Sequence, residues 1–265
     1  MIYQIDLLNI RLNAKSRQEK TMSNKFNDSA YMKEIDTEIT GFFEENGSLC
    51  VKLLDNIHHP HGGGQKGDKG VLFVDGREYQ IIDTVKDKYS ESGEVLLVIS
   101  GKGGTAPDFC CKNRELSLFF PGKAAVVKVD WDFRYRQMRL HTAVHLHHCM
   151  LEKAVGKQLP PPKNSDIQDG FAFNRYECKE ITPELVDSAN SLFTNAVSTG
   201  AAVKTYADAS RKGFRWWESL GFKIPCGGAH VADLGEIGDV AIAYSKKSGK
   251  QTVTITLSGD RNETP

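Results

Sequence analysis

The sequence predicts an α+β protein in which a small β-barrel comes first and a second domain then packs helices on an antiparallel sheet. Three observations support this fold class. Short apolar or alternating segments fill residues 37–129, apolar residues recur with a helical period after Asp130, and strict alternation returns at residues 252–257. A chain of 265 residues is also long enough for two domains.

Seven short segments form the predicted barrel, and Gly, Asp or Asn residues separate most of them. In order they read TEITGFF, LCVKLL, GVLFV, EYQIIDTV, EVLLVIS, ELSLFF and KAAVVKV. So many strands need closed edges, and no helical segment intervenes to build parallel crossovers, so we predict a barrel domain over residues 27–127. Residues 1–26 are expected to be an extension outside the fold, with Met22 as a candidate start.

The second domain is predicted over residues 128–265 and begins with a helix. Leu140, Val144, His147 and Leu151 recur at helical spacing in RLHTAVHLHHCMLEKAVG, and Gly156 is a typical helix stop. The segment LPPPKNSDIQDG that follows is predicted to be a loop, because consecutive prolines fix φ and remove backbone donors.

A second helix and a hairpin complete this domain. Thr182, Pro183 and Glu184 are typical of an N-cap, a first-turn proline and a first-turn acid, which predicts a helix over residues 183–198. The segments DVAIAY and TVTITL, joined by KKSGKQ, predict an antiparallel hairpin with one buried face.

Composition excludes several classes of protein. The 34 basic and 34 acidic residues cancel, so the overall charge indicates no partner. No segment is apolar for long enough to span a membrane, and charges interrupt the N-terminus too early for a signal peptide, so we expect a cytoplasmic protein with no membrane partner. Locally, residues 112–157 carry nine bases and four acids, an excess typical of either a nucleic-acid footprint or a solvated surface.

Two pairs of residues have metal-ligand spacing. His141 and His145 lie four apart on the predicted helix, so both imidazoles face the same side. Cys226 and His230 form a second pair in a Pro- and Gly-rich loop. Three histidines and one cysteine suit Zn²⁺, either as a closed structural site or as a catalytic one with an open position. His148 and Cys149 lie on nearly the same helix face and are weaker alternative ligands, whereas the other cysteines, at 50, 110, 111 and 178, lack such spacing.

A third feature is the glycine-rich segment PHGGGQKGDKG at residues 60–70, between two predicted strands. Its backbone N–H groups could face an anion or a carbonyl, and Gln65 adds an amide that both donates and accepts. It matches neither a Walker loop nor a dinucleotide-binding fingerprint, and a flexible barrel hairpin is the alternative interpretation.

Together, GGGQKGDKG, MRLHTAVHL and CGGAHVADLGEIG occur in the order found in AlaX proteins, the free-standing relatives of the editing domain of alanyl-tRNA synthetase. The sequence resembles this family from about residue 27 to residue 257. The resemblance implies a small β-barrel followed by an α+β editing domain, a zinc ion, and hydrolysis in trans of wrongly charged alanine tRNA, chiefly seryl and sometimes glycyl, without ATP.

The resemblance also assigns roles to residues. His141, His145, Cys226 and His230 match the zinc ligands of the family, and Gly63, Gly64, Gln65 and Thr142 match residues at its substrate site. Asp68 and Gly70 continue the glycine-rich motif. Ala229 and Val144 replace threonines that are common in the family, which removes hydroxyls that could contact a serine side chain.

Basic residues flank both ligand pairs and predict a rim that contacts tRNA phosphates. The main candidates are Arg134, Arg136, Arg139, Lys153, Arg211 and Arg215, with Lys128, Lys157, Lys212 and Lys223 nearby. Trp216 and Trp217 are expected to pack against helices rather than stack on a base, and Glu236 is expected to be structural.

Two other functions fit the same residues. One is a zinc-stapled tRNA-binding module without hydrolysis, and the other is a metallohydrolase of a small ester or amide. The amino acid removed, the tRNA identity elements and the oligomeric state do not follow from the sequence.

Overall fold

The computed structural model describes residues 22–45, 48–88, 90, 93–100 and 116–258. The strands are β1 (Ser23–Asn24), β2 (Glu34–Glu45), β3 (Ser48–Leu53), β4 (Asp55–Asn56), β5 (Gly70–Val74), β6 (Arg77–Lys86), β7 (Val95–Ser100), β8 (Ala124–Val129), β9 (Asn164–Ile167), β10 (Phe171–Tyr176), β11 (Lys204–Ala207), β12 (Arg215–Ser219), β13 (Phe222–Pro225), β14 (Val240–Lys247) and β15 (Lys250–Leu257). The α-helices are α1 (Trp131–Val155) and α2 (Pro183–Ser198).

Six antiparallel strands close a barrel in the order β2-β3-β7-β6-β5-β8, which confirms the predicted barrel. Its interior is filled by inward-facing side chains such as Ile39, Leu72, Ile99 and Val127, all fully buried. One predicted strand is wrong. The described part of ELSLFF contains a 3-10 turn, Ser117–Phe119, because Phe119 enters the barrel as a plug that meets the ring of Tyr79 at 4.9 Å.

Residues 22–26 belong to the fold, contrary to the expectation for the N-terminal extension. Strand β1 pairs in parallel with β4, and the ring of Phe26 meets that of His59 edge-on at 5.3 Å between centroids. Residues 1–21 lie outside the described residues, as do Cys110 and Cys111.

Helix α1 begins at Trp131, directly after Asp130 and eight residues before the segment RLHTAVHLHHCMLEKAVG that carries its apolar period. The side chain of Asp130 caps it by accepting a hydrogen bond from the backbone N–H of Phe133 at 3.1 Å. The apolar period missed these turns because Arg134 and Gln137, both fully buried, occupy part of the face that packs inward. The predicted glycine stop is confirmed, since Gly156 caps the helix with φ of 74°.

Helix α1 packs on a four-stranded antiparallel sheet in the order β14-β15-β10-β9. The predicted hairpin is confirmed as β14 and β15, and helix α2 has the predicted bounds. The loop prediction after α1 is wrong for residues 164–167, which pair with β10 as its edge strand β9. A third sheet, β11-β12-β13, leads into the second ligand pair. No helix in the described part of the chain combines the length and apolar character needed to cross a membrane.

Candidate metal centre

Helix α1 and the loop after β13 bring four predicted ligands together: His141, His145, Cys226 and His230. Their ligand atoms all lie within 4.8 Å of one another. The Cys226 sulfur is 3.4 Å from His141 Nε2 and 3.3 Å from His230 Nε2. Ligand atoms around a tetrahedral zinc ion lie about 3.3–3.8 Å apart, given the usual bond lengths. The cluster is therefore close to the size that zinc requires.

Hydrogen bonds fix which nitrogen of His230 carries a proton. The hydroxyl of Thr142 donates to the Met138 carbonyl at 2.9 Å, so its oxygen can only accept from its other neighbours. That oxygen accepts from the Val231 N–H at 3.2 Å and lies 3.2 Å from His230 Nδ1. His230 Nδ1 must therefore carry the proton, which leaves a lone pair on Nε2 facing the cluster.

Gln65 determines in the same way which nitrogen of His141 carries a proton. Its Oε1 accepts from the Ala229 N–H at 3.0 Å, which identifies this atom as the carbonyl oxygen. His141 Nδ1 lies 2.9 Å from the same oxygen and donates to it, so Nε2 of His141 also presents a lone pair to the cluster. Through Gln65, the glycine-rich loop of the barrel orients a ligand on α1 and holds the backbone of the ligand loop.

The protonation states of the four ligands suit a divalent cation. Burial, and secondarily neighbouring histidines, lower the pKa of His141 and His230 well below the usual range, and burial lowers that of His145 to about 3. Burial also raises the pKa of the Cys226 thiol to about 11, and a bound cation would deprotonate it. Nε2 of His145 is buried with no hydrogen-bond partner. An unpaired buried nitrogen among three other donors fits a zinc ligand.

Glycine is required at three places around the cluster. Gly63 and Gly64 have φ of 61° and 85°, and Gly62 exchanges two backbone hydrogen bonds of 3.1 Å with Gln65. This tight turn directs the Gln65 side chain toward His141. A Cβ on Gly228 would lie 2.1 Å from His141 Cε1, so the ligand loop approaches α1 through a residue without a side chain.

A buried ion pair joins the glycine-rich loop to α1. Asp68 and Arg134 are both fully buried and form a bidentate pair, and Arg134 also donates to the carbonyls of Ala30 and Ile57 at 2.8 Å. The Asp68 carboxylate also accepts from the His59 N–H. This pair fixes Gln65 relative to His141, and its only sign in the sequence is an acid in the loop and a base in the helix.

The burial of Arg134 corrects the predicted tRNA rim. A guanidinium with no exposed surface cannot contact a phosphate, so Arg134 does not belong to the rim. The other five candidates remain predictions. Arg215 lines the cleft beside the cluster, whereas Arg136, Arg139, Lys153 and Arg211 do not line it.

The predicted substrate residues fall into two groups. Gly63 lines the cleft. Thr142 is fully buried with its hydrogen-bonding capacity spent on His230, Val231 and Met138, so the structure contradicts its predicted contact with substrate. Gln65 is also fully buried, but its Nε2 has no hydrogen-bond partner, and Gly64 packs on the backbone of Ser165. Substrate contact by Gly63, Gly64 and Gln65 remains a prediction.

Other predictions for this region can be compared with the structure. His148 and Cys149 do not join the cluster. Trp217 is fully buried and its ring lies 5.5 Å from that of His145, as expected for packing. Glu236 is structural: it completes a capping box with Asp233 and accepts a hydrogen bond from Tyr31 at 2.6 Å.

The sequence missed His59, which precedes the glycine-rich motif. It is 6 % exposed, and its Nε2 lies 3.1 Å from the Gly227 carbonyl, which can only accept. His59 therefore donates a hydrogen bond to the ligand loop, which is a second contact between that loop and the barrel. The pattern HHPH offered no spacing that could have identified this contact.

A cleft of about 830 Å³ opens between the barrel and the second half of the chain. Three ligands, His141, His145 and Cys226, line it, as does Val144. The cleft therefore combines metal-binding side chains with apolar side chains in its lining, as small-molecule sites commonly do.

Comparison with known proteins gives relatives along most of the chain. It is 29% identical over 221 residues to "Alanyl-tRNA editing protein AlaX-M" of Pyrococcus horikoshii, covering 80% of this chain and 86% of that protein. The AlaX-M protein of Methanosarcina mazei is also 29% identical, over 248 residues, with coverage of 86% and 92%.

An alanine–tRNA ligase of Ignicoccus hospitalis is 24% identical over 241 residues, which cover 84% of this chain and 24% of the ligase. No protein-family model matches the chain. The matches to editing proteins over most of both lengths agree with the order of the three motifs and with the ligand cluster that they form. The chain is similar to AlaX editing proteins over most of its length.

Proposed function

We propose that this protein hydrolyses the ester bond of a wrongly charged alanine tRNA, using a zinc ion held by His141, His145, Cys226 and His230. The observation that carries this proposal is the cluster itself: three neutral imidazoles and a thiol meet at the wall of an open cleft. The AlaX relatives are alanyl-tRNA editing proteins, and they support the substrate class.

The chemistry needs little from the protein, because an aminoacyl ester is already activated. A zinc ion at such a site supplies a Lewis acid that can polarise a carbonyl or lower the pKa of a bound water. Gln65 and Thr142 keep protons on the Nδ1 atoms of His141 and His230, so both Nε2 lone pairs stay directed into the cluster. The Nε2 amide of Gln65 is buried without a hydrogen-bond partner, and we infer that it donates to a substrate oxygen.

The cleft wall next to the cluster suits a small amino acid. Val144 lines the cleft beside His141 and His145, and Ala229 is buried in the ligand loop. Neither side chain offers a hydroxyl to a serine substrate, so discrimination of serine from the smaller alanine must come from another polar group, such as the zinc ion or the Gln65 amide. Serine and glycine esters are the expected substrates.

Hydrolysis of Ser-, Gly- and Ala-tRNA(Ala) by the purified protein tests the proposal. We expect loss of the serine and glycine esters and sparing of the alanine ester. A Val144→Thr variant adds a hydroxyl beside the ligands without changing the side-chain volume much. It should raise kcat/KM for the serine ester relative to that for the glycine ester. Stability of all three esters in the presence of zinc-loaded protein would contradict the proposal.

A second candidate function is a tRNA-binding module without hydrolysis. It is favoured by the number of protein ligands, since four ligands complete a zinc tetrahedron and leave no open position. Stoichiometric tRNA binding without turnover would support it. Hydrolysis that neither tRNA nor salt affects would instead favour the small-ester hydrolase.

A further inference from the structure

The four-stranded sheet that packs against α1 has one covered edge and one open edge. Strand β9 forms the first edge, and the glycine-rich loop lies against it, since the Ile167 N–H donates to the Gly64 carbonyl at 2.9 Å. Strand β14 forms the other edge, and among the described residues its backbone is hydrogen-bonded to β15 alone. An open edge presents unpaired N–H and C=O groups that a further strand can bind.

Strand β14 lacks the features that usually keep an open edge from pairing. It is eight residues long, its first six residues, VAIAYS, carry no charge, and its pairing with β15 runs without a bulge. Val240, Ile242 and Tyr244 pack against the core yet stay only half-buried, because β14 is the last described strand of its sheet. Edge strands are normally short, charged, bulged or covered, so this edge is suited to bind a partner strand.

The charges at the two ends of β14 indicate that the partner is a second copy of this chain. Asp239 directly precedes the strand and Lys247 ends it, and both residues are exposed. When two identical strands pair antiparallel about a two-fold axis, the start of each lies opposite the end of the other. Asp239 of each copy then faces Lys247 of the other, so the strand is complementary to itself.

These charges also fix the register. Side-chain faces match only when the two-fold axis lies between the two copies of one residue. With the axis at Ala243, Asp239 lies opposite Lys247 of the second copy, and Ile242 lies opposite Tyr244. Moving the axis to either neighbouring residue separates Asp239 from Lys247. The small Ala243 side chain then faces its own copy at the centre of the interface.

We propose that two copies of this chain pair β14 to β14 about a two-fold axis at Ala243, which joins their four-stranded sheets into one continuous sheet. This interface goes beyond the proposed function and does not depend on it. Ser165 and Ile167 line the cleft from β9, at the opposite edge of the sheet, so pairing at β14 leaves both clefts open.

Sedimentation of the full-length protein over a range of concentrations measures the monomer–dimer equilibrium. Because Ala243 faces its own copy, Ala243→Lys and Ala243→Glu each bring like charges together and should weaken association at least about fivefold. An equimolar mixture of the two variants brings opposite charges together and should restore the dimer. The matched control, Ala124→Lys, changes an exposed alanine of the barrel strand β8 and should associate as the wild type does.

A second set of variants tests the register at the exposed ends of the strand. Asp239→Lys and Lys247→Asp each replace two attractive contacts by two repulsive ones and should weaken the dimer about tenfold. The double variant Asp239→Lys/Lys247→Asp reverses both ends and should recover the wild-type dissociation constant. Weakening in the double variant equal to that in the single variants would overturn this register.

Two results would overturn the interface itself: a wild-type protein that stays monomeric at every concentration, or a dimer that neither Ala243 variant weakens. Hydrolysis is an independent readout, because Ala243 is an exposed residue outside the cleft lining, and the Ala243→Lys variant should keep the wild-type kcat/KM. If no ester is cleaved while the charge variants still control association, the proposed function fails and the β14 interface stands.

Discussion

The two ligand pairs are held in different ways. His141 and His145 share one face of α1, and the regular spacing of a helix is enough to bring them together. Cys226 and His230 lie in a loop whose geometry comes from other parts of the chain: Gln65 binds the Ala229 N–H, Thr142 binds the Val231 N–H, and His59 binds the Gly227 carbonyl. The metal centre therefore depends on the barrel as much as on its own ligands.

Removing a ligand from either pair should have the largest effect on zinc binding and hydrolysis. The loss should be the same for both pairs, although they are held differently. His141→Ala and Cys226→Ala each leave an incomplete donor set, so zinc content falls and hydrolysis drops by at least about a thousandfold. Metal analysis of the purified variants, with deacylation assays on the same samples, checks this. A metal-free variant with full activity would contradict the zinc role.

Breaking the buried ion pair should destabilise the contact between the glycine-rich loop and α1, on which both ligand pairs depend. Asp68→Asn leaves Arg134 charged and unpaired, which costs about 3–5 kcal/mol of the free energy of unfolding. Denaturant unfolding measures it. The control is the double variant Asp68→Asn/Arg134→Met, which removes the stranded charge and should recover part of the loss; no recovery would show that the pair is not the cause.

Thr142→Val should weaken the loop pair while leaving the helix pair in place. The hydroxyl that accepts from His230 Nδ1 is lost, and such changes typically cost about 10–100-fold in metal affinity. Competition with a zinc chelator measures the affinity. Thr142→Ser keeps the oxygen and should bind zinc as the wild type does, and equal weakening in both variants would point to packing instead.

His58 provides a pH-dependent reference outside either pair. It is fully buried, and burial lowers its pKa to about 4 against the partial opposing effects of Asp68 and of the backbone of Lys69 and Lys128. The unfolded chain binds this proton at a higher pH than the folded chain does. The free energy of unfolding should therefore decrease by up to about 1.4 kcal/mol per pH unit as the pH falls from about 6.5 to about 4.

A His58→Leu variant checks that expectation. The wild type should lose unfolding free energy relative to the variant as the pH falls through this window, both proteins being zinc-loaded, because the variant lacks the titrating group. Parallel curves would mean that His58 keeps its ordinary proton affinity in the folded chain.

Much of this arrangement could be predicted from local sequence. The period-2 segments predicted the barrel strands, and Thr182 and Pro183 predicted the start of α2. The two pairs with metal-ligand spacing predicted the four residues that cluster. These features depend on residues near one another along the chain, where periodicity and capping act.

The errors involve contacts that are distant in sequence. The first turns of α1 lack an apolar period because Arg134 is buried there by a partner 66 residues away. The segment ELSLFF has the apolar pattern of a strand, but Phe119 is apolar because it fills the barrel. Thr142 was expected to touch substrate, yet it binds His230, 88 residues later. No local pattern encodes such pairings.

Hydrolysis of Ser-tRNA(Ala) by zinc-stripped and zinc-restored wild-type protein tests the central claim most directly. We predict that stripping abolishes the release of serine, that zinc restores it, and that Ala-tRNA(Ala) remains intact in both samples. Undiminished hydrolysis by the stripped protein, or none by the zinc-restored protein, would contradict a zinc-dependent editing site at His141, His145, Cys226 and His230.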